Sequence, residues 1–213
     1  MRAFLSADDW RHSIATSLET ARKIFKESGG TLRTREALSA GVHPRTLYAL
    51  RDAGVLQELT RGVYRLADLP PLGELDLVTV AKRVPHGIIC LISALAYHEL
   101  TTQIPHEVYL AISRTARQPI LDAPPLRIFR FSETALTAGV DTHSIEGVAV
   151  RVYSPEKTIA DCFKFRNKIG FDVARESLRL YRKRRRPKLS LILEYARVCR
   201  VEKVIRPYLE ASE

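Results

Sequence analysis

Thr34-Arg35-Glu36-Ala37-Leu38-Ser39-Ala40-Gly41-Val42-His43-Pro44-Arg45-Thr46-Leu47-Tyr48-Ala49-Leu50-Arg51-Asp52-Ala53-Gly54 is the stretch on which the fold turns. Gly41 and Gly54 each stop a short apolar-periodic segment. His43-Pro44 opens the second, because proline at a first helical position gives up an N–H that has no partner there and brings its φ already set. The stretch predicts one helix over Arg35 to Ala40, with Thr34 able to cap it, and another over Pro44 to Ala53. On a 3.6-residue wheel the second helix turns Leu47, Leu50 and Ala53 toward a core and Arg45, Tyr48, Ala49 and Asp52 outward.

The outward set is what a DNA-reading helix presents. Arg45 is near the N-terminus with Thr46 beside it, Ala49 is small enough for close approach, and Tyr48 and Arg51 are placed for phosphate. After Gly54, Val55 to Leu59 and Gly62 to Leu66 read as two strands joined near Thr60-Arg61-Gly62. Two helices, a tight turn and a trailing hairpin are the order of a winged helix-turn-helix. Arg61 then lies near the wing tip with Arg65 on its second strand, and Arg33 and Arg35 lie at the start of the preceding helix. A helical pair whose hairpin only packs is the plain alternative. Upstream, Leu18, Ala21, Ile24 and Phe25 recur at helical spacing up to Gly29-Gly30, giving a supporting helix, while residues 1 to 15 predict a mobile arm or a short helix.

Downstream, Asp68-Leu69-Pro70-Pro71-Leu72-Gly73 neither continues a strand nor starts a helix cleanly, so the boundary is placed there. This gives a winged helix-turn-helix over residues 1–70 and a mixed α/β domain over residues 71–213, an α+β chain ending in helices. In the second domain the pattern predicts helices over Glu74 to Val84 and Cys90 to Leu100. Strands follow over Glu107 to Ser113 and Leu126 to Phe131, with one or two more over Thr142 to Val152 turning at Glu146-Gly147. Ser154-Pro155 starts a helix through Arg166, another runs from about Asp172 to Arg182, and one or two fill Leu189 to Leu209.

The chain of 213 residues, 46% apolar and 27% charged, is long enough for a packed core. No apolar run reaches membrane-spanning length and acid follows the first few residues, so a cytoplasmic protein is expected. Cys90, Cys162 and Cys199 are far apart and set among apolar residues, which suits buried thiols. Of the net charge of +10, residues 151 to 213 carry +9, centred on Arg182-Lys183-Arg184-Arg185-Arg186-Pro187-Lys188, a run that repels itself unless a polyanion or acidic partner neutralises it. A solvated loop is the bland alternative.

No aspartate followed by an acidic-x-lysine triplet lies on a strand, and there is no glycine-rich phosphate loop, nucleophile elbow or metal-ligand cluster, so neither a catalytic residue nor a cofactor is assigned. His86, His98, His106 and His143 have no second ligand at metal spacing and read as structural hydrogen-bonders. On the Ser154 helix, Asp161 beside Lys157 or Arg166 reads as a structural ion pair. The rival is a phosphate site made by Lys157, Lys164, Arg166 and Lys168.

Three stretches together resemble the AbiEi antitoxins, transcriptional regulators of type IV toxin-antitoxin systems. They are Leu59-Thr60-Arg61-Gly62-Val63-Tyr64, then Leu91-Ile92-Ser93-Ala94-Leu95-Ala96-Tyr97-His98-Glu99-Leu100-Thr101-Thr102-Gln103-Ile104-Pro105, and Ser154-Pro155-Glu156-Lys157-Thr158-Ile159-Ala160-Asp161-Cys162-Phe163-Lys164-Phe165-Arg166-Asn167-Lys168-Ile169-Gly170. The resemblance implies a two-domain antitoxin, active in phage defence by abortive infection, whose winged helix binds inverted repeats in its own promoter and represses its operon. It implies a functional partner, an AbiEii-like nucleotidyltransferase toxin, opposed without a stable complex. It carries over no catalytic residues, and the run from Arg182 to Lys188 is not one of its hallmarks. A nuclease-like enzyme or a non-specific nucleic-acid-binding adaptor are the other readings.

Overall fold

In the computed structural model, residues 18–68 and 75–211 are described. The chain divides into two compact units, Met1–Arg83 with Ser144–Val148, and Val84–His143 with Ala149–Glu213. The expected arm or helix over residues 1 to 15 lies outside the described residues, as do residues 69–74 beside the expected boundary. The architecture is mixed α/β, with helices and two sheets.

In the first unit, helix α1 covers described residues 18–27, followed by β1 (Thr31–Arg33), α2 (Thr34–Ser39), α3 (Pro44–Asp52), β2 (Leu56–Thr60), β3 (Val63–Leu66) and α4 (Leu75–Arg83). The three strands form an antiparallel sheet in the order β1-β3-β2. Phe25, Leu32, Ala37, Leu47, Leu50, Leu56, Tyr64 and Leu66 make its core, so α1, α2, α3 and all three strands contribute to one apolar cluster. Strand β1 is too short to show a period in sequence, and it was not anticipated.

Two local expectations are corrected. Arg33, not Thr34, occupies the N-cap of α2: Thr34 is already helical, and the Glu36 carboxylate accepts from the Arg33 backbone N–H at 2.9 Å. Ala53, placed on the buried side of α3, is exposed because the helix ends at Asp52 and Ala53 is its C-cap.

The second unit is built on a five-stranded sheet, apart from the β-turn segment Ser144–Val148, which is counted with the first unit. Its strands are β4 (Ile88–Ile89), β5 (Val108–Ser113), β6 (Leu126–Phe131), β7 (Val140–Ile145) and β8 (Val148–Tyr153), in the order β6-β5-β4-β8-β7. Strand β4 pairs antiparallel with β5 and parallel with β8, and β5 pairs parallel with β6. The helices are α5 (Leu91–Tyr97), α6 (Glu133–Thr137), α7 (Pro155–Lys164), α8 (Arg166–Ile169), α9 (Phe171–Arg182), α10 (Leu189–Val198) and α11 (Glu202–Glu210). Their apolar faces share one core with the sheet, through Leu95, Phe129, Phe131, Tyr153, Phe163, Leu178 and Ile192 among others.

Helix α7 is wrapped by this core. Ser154 caps it, its hydroxyl oxygen accepting from Lys157 N–H at 3.3 Å, with Pro155 at the first position as expected. The helix expected over Cys90 to Leu100 is shorter, because Ile88–Ile89 form strand β4, Cys90 is the N-cap and His98 the C-cap. Helix α6 was not anticipated.

Candidate nucleic-acid interface

Helices α2 and α3 are joined by Ala40-Gly41-Val42-His43, with Gly41 at φ 97° closing the first helix through Val42 N–H to Ala37 C=O at 3.0 Å. His43 caps α3, its Nδ1 accepting from Arg45 N–H at 3.2 Å. Leu47 and Leu50 are buried, and Arg45, Tyr48, Ala49 and Asp52 are exposed, Tyr48 by 44%. Thr46 is half-buried.

The β2–β3 turn is tied back to the start of α2. Thr34 donates both its backbone N–H, at 2.9 Å, and its hydroxyl, at 3.4 Å, to the carbonyl of Gly62, whose own N–H goes to Glu58 Oε1 at 2.9 Å. Gly62 sits at φ 74°, and a Cβ there would lie 3.2 Å from Thr34 Oγ1, so the turn favours glycine on both counts. Arg61 is thereby held exposed next to Gly62, and Arg35 is exposed in the first turn of α2.

Three of the anticipated arginines are engaged or withdrawn. Arg51 bonds Asp52 Oδ1 from Nε at 2.9 Å and Nη2 at 2.8 Å, lies 4.0 Å from Glu58, and sits 5.1 Å from the centre of the Tyr48 ring; the Asp52 bond raises its pKa. Arg33 is half-buried, and that burial lowers its pKa against the opposing pull of Glu36. Arg65, expected on the wing surface, is only 4% exposed: it lies on the central strand β3, opposite Thr31 on one side and Gln57 on the other. The exposed set is therefore Arg35, Arg45, Tyr48 and Arg61.

In the second unit the basic run divides likewise. Arg182 is half-buried and donates to the carbonyls of Tyr208, Leu209 and Ala211 at 2.7–2.8 Å, neutralising the C-terminal end of α11. Arg184 donates to the His98 carbonyl and lies 5.7 Å from the centre of the Tyr181 ring. Lys183, Arg185, Arg186 and Lys188 are exposed.

The rival phosphate site on α7 does not form. Lys157 and Asp161 are both fully buried and pair at 2.5 Å, Lys157 Nζ lies 4.0 Å from the Tyr153 ring centre, and the Cys199 thiol donates to Asp161 Oδ1 at 3.1 Å. Burial raises Asp161 against the pull of Lys157, and pushes the Cys199 thiol up to about 12. His98, read from sequence as a structural hydrogen-bonder, bonds the Tyr153 carbonyl through Nε2 at 2.8 Å. Among the described residues no group of three or more His, Cys, Asp or Glu is placed to hold a metal ion, and no helix is long and apolar enough to cross a membrane.

Residues 19–67 match the family described as transcriptional regulator, AbiEi antitoxin. The match is confined to this segment of the chain. It contains α2, α3 and the β2–β3 hairpin, and so the exposed Arg35, Arg45, Tyr48 and Arg61 all fall inside it. The AbiEi family is one of regulators. No curated protein matches the chain in sequence. Among solved structures, the RV2827C protein from Mycobacterium tuberculosis has a similar fold, with a TM-score of 0.52 at 13% identity, covering 94% of this chain and 83% of that one. The basic residues 182–188 and the α7 ion pair lie outside the AbiEi match.

Proposed function

We propose that the protein is a DNA-binding repressor of its own operon and the antitoxin of a type IV, AbiE-like pair, working in the cytoplasm. In this reading the first unit is a winged helix-turn-helix. The observation that carries it is α3, inside the AbiEi match, which buries Leu47 and Leu50 and exposes Arg45 and Tyr48 on the opposite side. Arg45 reads base edges in the major groove. Tyr48 and Arg35 hold phosphates, with Thr46 and Arg51 at the margins of the contact, and Arg61 reaches along the neighbouring groove or backbone from the hairpin tip. Arg33 and Arg65, withdrawn into the unit, support the sheet and the start of α2 and do not touch DNA.

The target is double-stranded DNA carrying inverted repeats in the protein's own promoter. The functional partner is an AbiEii-like nucleotidyltransferase toxin, opposed without a stable complex. Lys183, Arg185, Arg186 and Lys188 extend the footprint by phosphate contact.

A promoter–reporter fusion tests the reading in cells. The wild-type protein lowers reporter output, and Arg45→Ala at equal protein level restores it tenfold or more. Co-expression rescues growth from the neighbouring toxin. Repression unchanged by Arg45→Ala together with Arg61→Ala would remove α3 and the hairpin from the reading.

A further inference from the structure

Helix α9 repeats arginine along one face at Arg175, Arg179 and Arg182, with Val173, Ala174, Ser177, Leu178 and Tyr181 turned to the core. Like charges four residues apart repel on an isolated helix, so the spacing is informative when no acid relieves it. Arg182 is committed to three backbone carbonyls of α11. Glu176, on the same helix, accepts from the hydroxyls of Thr101 at 3.3 Å and Thr102 at 2.9 Å. Arg175 and Arg179 are exposed and have no hydrogen bond or ion pair among the described residues.

Two cavities adjoin these arginines. The larger, about 500 Å³, is also lined by Asp172 and Glu176, which disfavours an anion there. The smaller, about 260 Å³, is lined by Arg175, Leu178, Arg179, Arg182, Tyr208 and Ala211, with no acid in its wall. Tyr208 is 37% exposed and lines this cavity, and its ring packs against Phe163 at 5.5 Å and Phe171 at 5.4 Å. Two unpartnered guanidinium groups suit a phosphate, which they grip in a planar, bidentate way, and an aromatic ring in the same wall suits a nucleobase. The volume lies just below the ~300–1,000 Å³ usual for small-molecule sites, so it suits a single unit.

We propose that the cleft between α9 and α11 binds one nucleoside monophosphate unit, its phosphate on Arg175 and Arg179 and its base on Tyr208. The unit comes either as a free nucleotide or as the phosphorylated end of an RNA. The site lies in the second unit and is independent of the DNA-reading assignment of α3.

Isothermal titration of the full chain with AMP, inorganic phosphate and a 5′-phosphorylated RNA hexamer tests this. AMP binds with a Kd on the order of 10 μM to 1 mM and at least tenfold tighter than inorganic phosphate. Arg175→Ala with Arg179→Ala weakens AMP and phosphate alike by tenfold or more. Tyr208→Leu, with its fold checked by circular dichroism, weakens AMP but not phosphate. RNA binding tenfold tighter than AMP assigns the RNA end as the source, and equal binding assigns the free nucleotide. No heat with AMP up to about 10 mM, equal affinity for AMP and phosphate, or an unaffected arginine double variant overturns the proposal.

Discussion

Lys157 and Asp161, one turn apart on α7, form a fully buried ion pair at 2.5 Å, with the Cys199 thiol on the second carboxylate oxygen and the Tyr153 ring 4.0 Å from the ammonium. Removing one partner strands the other charge in the core, which costs about 3–5 kcal/mol, whereas replacing both with apolar residues of similar size is often neutral or stabilising. Lys157→Met is therefore expected to destabilise the protein by about 3–5 kcal/mol in urea denaturation. Lys157→Met with Asp161→Leu recovers most of that loss. Equal destabilisation by the single and double variants would show that the pair is not the cause.

His98 carries a pH dependence whose sign follows from its burial. Desolvation lowers its pKa, against the opposing hydrogen bond to the Tyr153 carbonyl, with His143 and Arg184 adding to the lowering. A base depressed in the folded state binds its proton more readily when unfolded. The folded state therefore has its full stability above the ordinary histidine pKa of about 6.5 and loses stability as pH falls from there toward the folded value. Denaturation midpoints taken from pH 8 to pH 5 are expected to fall, and His98→Gln, which keeps a donor for the carbonyl, is expected to flatten that part of the decline.

Gly62 fixes the hairpin turn against α2. At φ 74° and with Thr34 Oγ1 at 3.2 Å from an added Cβ, Gly62→Ala is expected to cost about 1–2 kcal/mol. Thr34→Ala with Gly62→Ala relieves the close approach but keeps the backbone strain, so it restores only part. Thermal unfolding of the two variants separates the contributions.

The basic run is expected to split by role. Arg182→Ala removes three carbonyl bonds at the end of α11 and lowers stability by about 1–2 kcal/mol, without changing the salt dependence of DNA binding. Arg185→Ala with Arg186→Ala leaves stability within about 0.5 kcal/mol. That pair flattens the slope of log K against log salt by up to about 0.9 per lost phosphate contact. A slope unchanged by the exposed pair would confine DNA contact to the first unit.

The outward face of α3 was legible in sequence because Leu47 and Leu50 mark its buried side, and Gly41, Pro44 and Gly54 punctuate the helix. The start of α7 was legible for a similar reason, since serine followed by proline is a local signal. Strands β1 and β4, three and two residues long, were not, because a period needs length to show. Arg65 looked exposed because arginine on a hairpin usually is. Its burial comes from a central strand, which no local pattern reveals. The complete burial of Lys157 was hidden likewise, although its setting among Ile159, Ala160, Cys162 and Phe163 on one short helix hinted at a helix enclosed on all sides. Arg182 was read as part of a charge run, and only the return of α11 showed that it serves a helix end.

The central claim is that α3 reads DNA sequence, and a gel shift tests it most directly. The duplex is the DNA immediately upstream of the protein's own gene, run against a scrambled duplex at ~150 mM salt, where non-specific phosphate binding is already weak. A preference of about 10³-fold or more for the native duplex, reduced by about 1–3 kcal/mol in Arg45→Ala, is the expected result. Equal affinity for both duplexes, unchanged by Arg45→Ala, would contradict it and leave a protein that binds nucleic acid by charge alone.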